Sequence, residues 1–353
     1  MRLRRLVIKQ FRNIVEADLQ FSPGVNLLWG DNGQGKTSAL EALYIAASKR
    51  YPSGVQDSDV VQWDRTWMDI RGEWTIDESR IGTSRYAVDR SSKPRRIKEG
   101  SVVPLVWFTP SDLHLIQGGP AYRRGFLDQV ASNLYPRYAK TLRLYERAVA
   151  QKNRGIKEQI PAAALDAFNQ VIASAGAVLW SLRAQTLDRL RPELFEVHGQ
   201  LSGSQGLSVQ LKPGGVDHGI PTDDAEVARH IHRRQGEERA RLMSLVGPHR
   251  DELLIELNGH AAMDYASQGQ QRTLALSLKL ATYHLYREAF GQLPIVLLDD
   301  VLSELDPKRR HHLLELVSQG GQQTVVTDTE PRWYDPLHPT IYHVERGEFQ
   351  RWT

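Results

Sequence analysis

The chain of 353 residues carries 45 Lys and Arg against 42 Asp and Glu, a formal net charge of +3, and no cysteine. This length buries one large core or two smaller ones, and the lack of thiols excludes disulfides and thiolate-held metals, which fits a reducing cytoplasm. No apolar run approaches a membrane span, no signal-peptide core opens the chain, and there is no heptad array or internal repeat, so neither a membrane partner nor a long coiled coil is expected.

Residues 1 to about 110 read as mixed α/β. The first strand begins almost at Met1. Val25 to Trp29 is a short buried strand, followed by Gly30-Asp-Asn-Gly-Gln-Gly-Lys-Thr37, a complete G-x-x-x-x-G-K-[ST] loop. Leu40, Leu43, Tyr44 and Ala47 then recur at helical spacing. Strand, glycine-rich loop and helix form the context this motif needs. Gly30, Gly33 and Gly35 let the backbone curl so that successive N–H groups point at phosphate oxygens, and the helix start adds its positive dipole end. Lys36 is expected to reach the β and γ phosphates and Thr37 to ligate Mg²⁺.

Strand-like stretches follow at 67–76 and 84–89. Lys93, Arg95, Arg96 and Lys98, beside Arg80, Arg85 and Arg90, form a basic cluster suited to phosphate backbone or simply to solvent. From about 111 to 240 the pattern turns helical, most clearly at 142–150, 165–190 and 224–245, with a glycine-rich break at 203–219 that contains a short strand at 207–211. Tyr135, Tyr138 and Tyr145 read as packing on a helix face. Arg233, Arg234, Arg239 and Arg241 form a second basic cluster, interleaved with Glu237 and Glu238. His230, His232, His311 and His312 lack metal-ligand spacing and read as surface residues. His249 reads equally as a turn residue or a nucleotide contact.

A strand at 253–257 precedes Ser267-Gln-Gly-Gln-Gln-Arg272, which opens a long apolar helix ending near Phe290. Ser267 and Gln270 fit a capping box; the same helix start could also bind a phosphate of a second subunit's nucleotide. Ile295 to Leu298 is a continuous apolar run, as in a strand covered on both faces, and Asp299 and Asp300 follow it. Asp299 is expected to hold Mg²⁺ and Asp300 to orient or deprotonate the attacking water. Ser303 to Asp306 comes next, where Asp306 reads equally as a helix N-cap or an interfacial contact, then a strand at 323–327 and a hairpin at 340–349 turning at Arg346-Gly347. The loop and the Asp-Asp strand together predict a site for a nucleoside triphosphate with Mg²⁺.

The order of these elements resembles the ABC-type ATPase heads of the SMC-like DNA-repair proteins and, within them, the RecF family. The carrying segments are Leu6 to Asn13, Gly30 to Thr37, Phe108 to Leu113, Arg123 to Asp128, Gly247-Pro-His-Arg-Asp251, Ser267 to Arg272, Leu297 to Asp300 and Ser303 to Asp306. The resemblance implies an α/β fold: an ABC-type P-loop ATPase head lobe (residues 1–115 and 293–353, sharing one sheet) with an inserted, mainly helical lobe (116–292) and no long coiled coil. It implies that Gly30, Asp31, Asn32, Gly33, Gln34, Gly35, Lys36, Thr37, Ser38, Arg12 and Asn13 bind ATP. Ser267, Gln268, Gly269 and Gln270 would contact the γ-phosphate held by a partner copy, and Asp306 would cross the dimer interface. Asp300 stands where many ABC ATPases carry a catalytic Glu. Lys49 to Gly54 departs from the family's Ser-x-Arg pattern, and Thr327 to Thr329 occupies the place of the transporters' switch His. By the same resemblance, ATP drives dimerisation on double-stranded or gapped DNA and slow hydrolysis releases it. RecO and RecR are the implied partners, with RecA loaded on single strands in DNA repair, replication restart and the SOS response. The rival readings are a nucleotide-binding subunit of a membrane transporter and a nearly non-hydrolysing ATP-switched scaffold.

Overall fold

The computed structural model describes every residue except 53–54, 77–79, 92–93, 204, 303–304, 306–309, 311–312, 314, 316–320, 331–337 and 353. Ser303, Asp306, Lys93, His311 and His312 therefore lie outside the described residues. In chain order the first elements are β1 (Arg2–Phe11), β2 (Ile14–Gln20), β3 (Val25–Trp29), α1 (Lys36–Ser48), α2 (Asp57–Val60), β4 (Trp67–Thr75), β5 (Ile81–Asp89), β6 (Arg95–Glu99) and β7 (Leu105–Phe108). Then come α3 (His114–Gln117), α4 (Pro120–Leu134), α5 (Pro136–Lys157), α6 (Ala162–Ser202), β8 (Leu207–Lys212) and α7 (Asp224–Arg241). The chain closes with β9 (Glu252–Leu257), β10 (His260–Ala261), α8 (Ala262–Tyr265), α9 (Gln268–Phe290), β11 (Ile295–Asp299), β12 (Thr324–Asp328), β13 (Thr340–Glu345) and β14 (Glu348–Trp352).

Two compact units result. One comprises Met1–Asp112 with Thr282–Thr353, the other Leu113–Ala281. In the first, a six-stranded sheet has the order β14-β13-β3-β12-β11-β7. All its pairings are parallel except the β13–β14 hairpin. N-terminal β3 thus sits between C-terminal β12 and β13. Every residue of β11 is buried, which accounts for its unbroken apolar run.

A second, five-stranded antiparallel sheet of order β2-β1-β4-β5-β6 belongs to the same unit. The sequence reading anticipated three of its strands singly but not the sheet. Gln323 joins the two sheets. Its side-chain amide accepts from the Leu3 N–H and donates to the Leu3 carbonyl, both at 2.7 Å, standing in for a strand neighbour. Helix α1 shares one core with both sheets, where Leu40, Leu43, Ile45 and Ala46 meet Leu6, Ile8 and Ile70 as well as Leu297 and Val325. It is buried on nearly every face, not along one stripe, because it has packing partners all round.

The second unit is mainly helical, with a small sheet of order β10-β9-β8. Pro120 and Pro136 open α4 and α5 at first-turn positions where no N–H is needed. Asp223 caps α7 by accepting from the Glu226 N–H at 2.7 Å. Helix α6 runs 41 residues, through Pro192, and ends at Gly203 with φ 65°. This corrects the expectation that no apolar run approaches a membrane span: α6 is long and apolar enough, by length and composition, to cross one. Part of its apolar content packs inside the unit, where Ile172, Leu179, Trp180 and Leu182 are core residues.

Candidate nucleotide site

The loop 30–35 takes its shape from backbone freedom and from struts. Gly30 has φ 152°, and a Cβ there would stand 2.3 Å from the Val344 carbonyl oxygen. Gly35, at φ 116°, leaves room for Asn13, whose Nδ2 would otherwise lie 3.0 Å from a Cβ. Gln34 braces the loop on the β13–β14 turn: its Oε1 accepts from the Arg346 N–H at 2.7 Å and its carbonyl from the Gly347 N–H at 2.8 Å. That strut was not visible in the sequence, because Gln34 and Arg346 are far apart along the chain.

The loop, the start of α1, the β1–β2 turn and the end of β11 enclose a cavity of about 300 Å³. Arg12, Asn13, Asn32, Gly33, Gly35, Lys36, Thr37, Ser38 and Asp300 line it. Lys36 is buried, and its Nζ donates to the carbonyls of Gly30 at 2.7 Å and Asp31 at 3.0 Å. Arg12 sits at φ 51°, with its guanidinium ion-paired to the buried carboxylate of Glu41 on α1. Asn13 Oδ1 accepts from Ser38 Oγ at 2.9 Å. The Arg12–Asn13 turn is thus tied to the helix whose N-terminus faces the cavity.

The two aspartates at the end of β11 differ in setting. Asp299 is buried, and its Oδ1 accepts from Thr37 Oγ1 at 2.9 Å and from Thr327 Oγ1 at 2.8 Å. Burial raises the Asp299 pKa above the usual carboxylate value; the two hydroxyls oppose that shift and neighbouring Asp300 adds to it. Asp300 turns into the left-handed region at φ 51° and faces the cavity. Its N–H donates to Thr327 Oγ1 at 3.0 Å. Thr327 therefore fixes both aspartates, a role its position in the sequence did not reveal.

These groups fit a magnesium ion. The donors are hard oxygens, a buried carboxylate beside a hydroxyl, in an environment that disfavours an uncompensated negative charge. Among the described residues no group of three or more His, Cys, Asp or Glu could form a complete cage, so the remaining ligands would be phosphate and water, the usual pattern for Mg²⁺.

Ser267 to Gln270 belong to the other unit and are exposed. They form the capping box: Ser267 Oγ accepts from the Gln270 N–H at 3.3 Å, and Gln270 Oε1 accepts from the Ser267 N–H at 2.8 Å. The 247–251 and 123–128 blocks meet in the helical core around Arg183, which the sequence reading passed over inside a long helix. Arg183 Nη1 donates to Asp251 Oδ2 at 2.5 Å and to the Pro248 carbonyl at 2.7 Å, and Nη2 donates to Asp128 Oδ1 at 2.6 Å. Asp251 Oδ1 also accepts from Trp180 Nε1 and the Gly214 N–H, both at 2.8 Å. His249 packs on Tyr145, its Nδ1 2.5 Å from the phenol oxygen, and burial pushes its pKa down to about 4. It is a neutral packing residue and does not line the cavity.

The two basic clusters are partly neutralised. Arg85 pairs with Asp69 at 2.5 Å, Arg96 with Asp57 at 2.6 Å, and Lys98 donates to the Lys49 carbonyl at 3.0 Å. In the second cluster, Arg234 and Arg241 share Glu237 at 2.7 and 2.9 Å.

Comparison with known proteins agrees with this architecture. Residues 5–103 match the AAA domain family. The chain is 34% identical to the DNA replication and repair protein RecF of Halalkalibacterium halodurans, over 99% of this chain and 100% of the relative. It is 39% identical to RecF of Symbiobacterium thermophilum, over 98% and 97%. The solved structure of the recombination mediator protein RecF with ATP, in the RecFOR pathway, superposes with a TM-score of 0.90 at 25% identity, covering 100% of this chain and 98% of that one. An Smc head domain from Pyrococcus furiosus, at 16% identity and a TM-score of 0.52, shares the fold. The α/β ATPase-head fold with an inserted helical unit, and with no long coiled coil among the described residues, is thereby established, and the chain belongs to the RecF family of DNA replication and repair proteins.

Proposed function

We propose that this protein is an ATP-dependent DNA-binding ATPase of recombinational repair and replication restart, acting in the cytoplasm. The observation that carries the reading is the Thr37–Asp299 hydrogen bond, which joins the phosphate loop to the acidic strand beside the cavity that Lys36, Thr37 and Asp300 line. Family membership sets aside the transporter reading and supports DNA as the partner.

ATP would lie with its phosphates over the Gly33–Ser38 backbone, where the N–H groups and the α1 dipole favour negative charge. Lys36 supplies a positive charge to the β and γ phosphates, while Arg12 and Asn13 bound the cavity on its other side. Thr37 and Asp299 would hold Mg²⁺, which neutralises developing charge on the phosphates. Asp300 orients the attacking water and accepts its proton. The exposed Ser267–Gln270 helix start, with Gly269 and Gln268 between, would present N–H groups to the γ-phosphate held by a second copy. Asp306 would cross that interface. ATP binding then dimerises the protein on duplex or gapped DNA, and slow hydrolysis releases it. RecO and RecR act with it in loading RecA.

An Asp300→Asn variant tests the cycle. Fluorescence anisotropy should show Mg·ATP-dependent binding to gapped duplex, with residence lengthened at least about tenfold as turnover falls on the order of 10²-fold or more. Unchanged residence alongside measurable wild-type turnover would mean that hydrolysis is not the release step, and would favour an ATP-switched scaffold.

A further inference from the structure

Helix α5 holds Arg137, Lys140, Arg143, Arg147, Lys152, Arg154 and Lys157 against a single acid, Glu146. Its net charge of +6 exceeds the +3 of the whole chain, so the rest of the protein is net negative. Lys152 is the exception among these bases, fully buried and ion-paired with Glu238 of α7 at 2.7 Å. The other six are exposed, and none forms an ion pair among the described residues. Lys140, Arg143, Arg147 and Arg154 recur at three, four and seven residues and so lie along one face. The opposite face is pinned in the core by Tyr138, Tyr145, Ala148 and Val149.

This stripe is unfavourable in the free protein. Like charges at three- and four-residue spacing repel, and Arg137 and Lys140 sit at the positive end of the helix dipole. Helix stability therefore does not explain them, whereas a polyanion laid along the helix would relieve both terms. Twenty-two residues span about 33 Å, close to one turn of duplex DNA.

We propose that the exposed face of α5 is a sequence-independent docking surface for the phosphate backbone of duplex DNA. The assignment rests on the DNA-binding reading above and adds the place on the helical unit where the backbone lies. Polar Gln side chains at these positions leave the buried face untouched.

The test compares wild type with the quadruple variant Lys140→Gln, Arg143→Gln, Arg147→Gln and Arg154→Gln, titrating a 30-bp duplex with Mg·ATP across a KCl series. Circular dichroism and thermal melting verify folding. The expected result is at least about a tenfold loss of affinity and a salt slope shallower by about three to four, with Mg·ATP affinity unchanged. A triple variant Arg143→Lys, Arg147→Lys and Arg154→Lys should keep the wild-type slope, since counterion release counts charge. Unchanged affinity and slope in the Gln variant, with wild type binding normally, overturn the α5 assignment alone. If wild type binds no duplex under any condition, the DNA-binding reading itself fails. If the Gln variant loses binding to phosphatidylglycerol vesicles but keeps its DNA affinity, the stripe belongs to a lipid surface and the proposal is wrong.

Discussion

Asp299 in the sheet unit and Asp251 in the helical unit are both buried carboxylates whose pKa burial raises, and they differ in the partners that oppose that shift. Asp251 is bonded to Arg183, Trp180 and a backbone N–H, so a direct ion pair inside the fold offsets part of its burial cost. Asp299 has two hydroxyls and, among the described residues, no ion-pair partner. A buried charge without a counter-charge costs free energy unless something arrives to balance it. On the reading proposed above, the difference separates a charge that holds the structure together from one that a ligand would balance. It also explains why the 123–128 and 247–251 blocks, specific as they are in sequence, contribute to the core and not to the nucleotide cavity.

The contrast breaks most severely at Arg183. Arg183→Met leaves buried Asp251 without its counter-charge and half-buried Asp128 without its ion pair, and should destabilise the protein by about 3–5 kcal/mol, read from urea unfolding. A loss below about 1 kcal/mol would mean that the network is dispensable.

Substitutions in the cavity should do the reverse. Lys36→Ala is expected to weaken Mg·ATP binding on the order of 100-fold, about 3 kcal/mol, in calorimetry. Asp299→Asn should abolish magnesium-dependent turnover while leaving the ligand-free melting temperature unchanged or a few degrees higher. The sign follows from the shift: the folded-state pKa of Asp299 is raised, so its charge costs stability above that pKa and the cost disappears as pH falls. A clear drop in the ligand-free melting temperature of Asp299→Asn would place Asp299 with the structural carboxylates.

His249 sharpens the comparison on the helical side. Its pKa is lowered to about 4 by burial. Between pH 6.5 and 4 the unfolded chain binds a proton that the folded chain refuses, so stability falls as pH drops through this window, by up to about 3 kcal/mol. Denaturation at pH 7, 5.5 and 4.5 should show this slope in wild type and a flatter one in His249→Asn. The smallest expected effect is at the loop strut. Gln34→Ala removes one hydrogen bond to Arg346 and should cost about 1 kcal/mol or less, with a few-fold rise in KM for ATP.

Local motifs were legible where the chemistry demands contiguous residues. The 30–37 loop and the 295–300 strand declare themselves because phosphate binding needs consecutive N–H groups and the parallel strand is buried on both faces. Thr327, Glu41 and Arg183 did not, since each acts on residues distant in sequence and each residue type is ordinary where it stands. The basic stripe of α5 is not legible in the sequence for a geometric reason: its charges are adjacent on the helix surface but three or four residues apart in the chain, whereas the adjacent bases at 95–98 and 233–241 are partly paired. The five-stranded sheet was missed because pairing of its strands is set by packing on α1, which no local pattern encodes.

The most direct test of the central claim is sedimentation of wild type and Lys36→Arg, with and without Mg·ATP and gapped duplex DNA. The account predicts a wild-type dimer that forms with Mg·ATP and holds the DNA, and a variant that fails to form it or fails to cycle. A wild type that stays monomeric and ignores both ligands would contradict it.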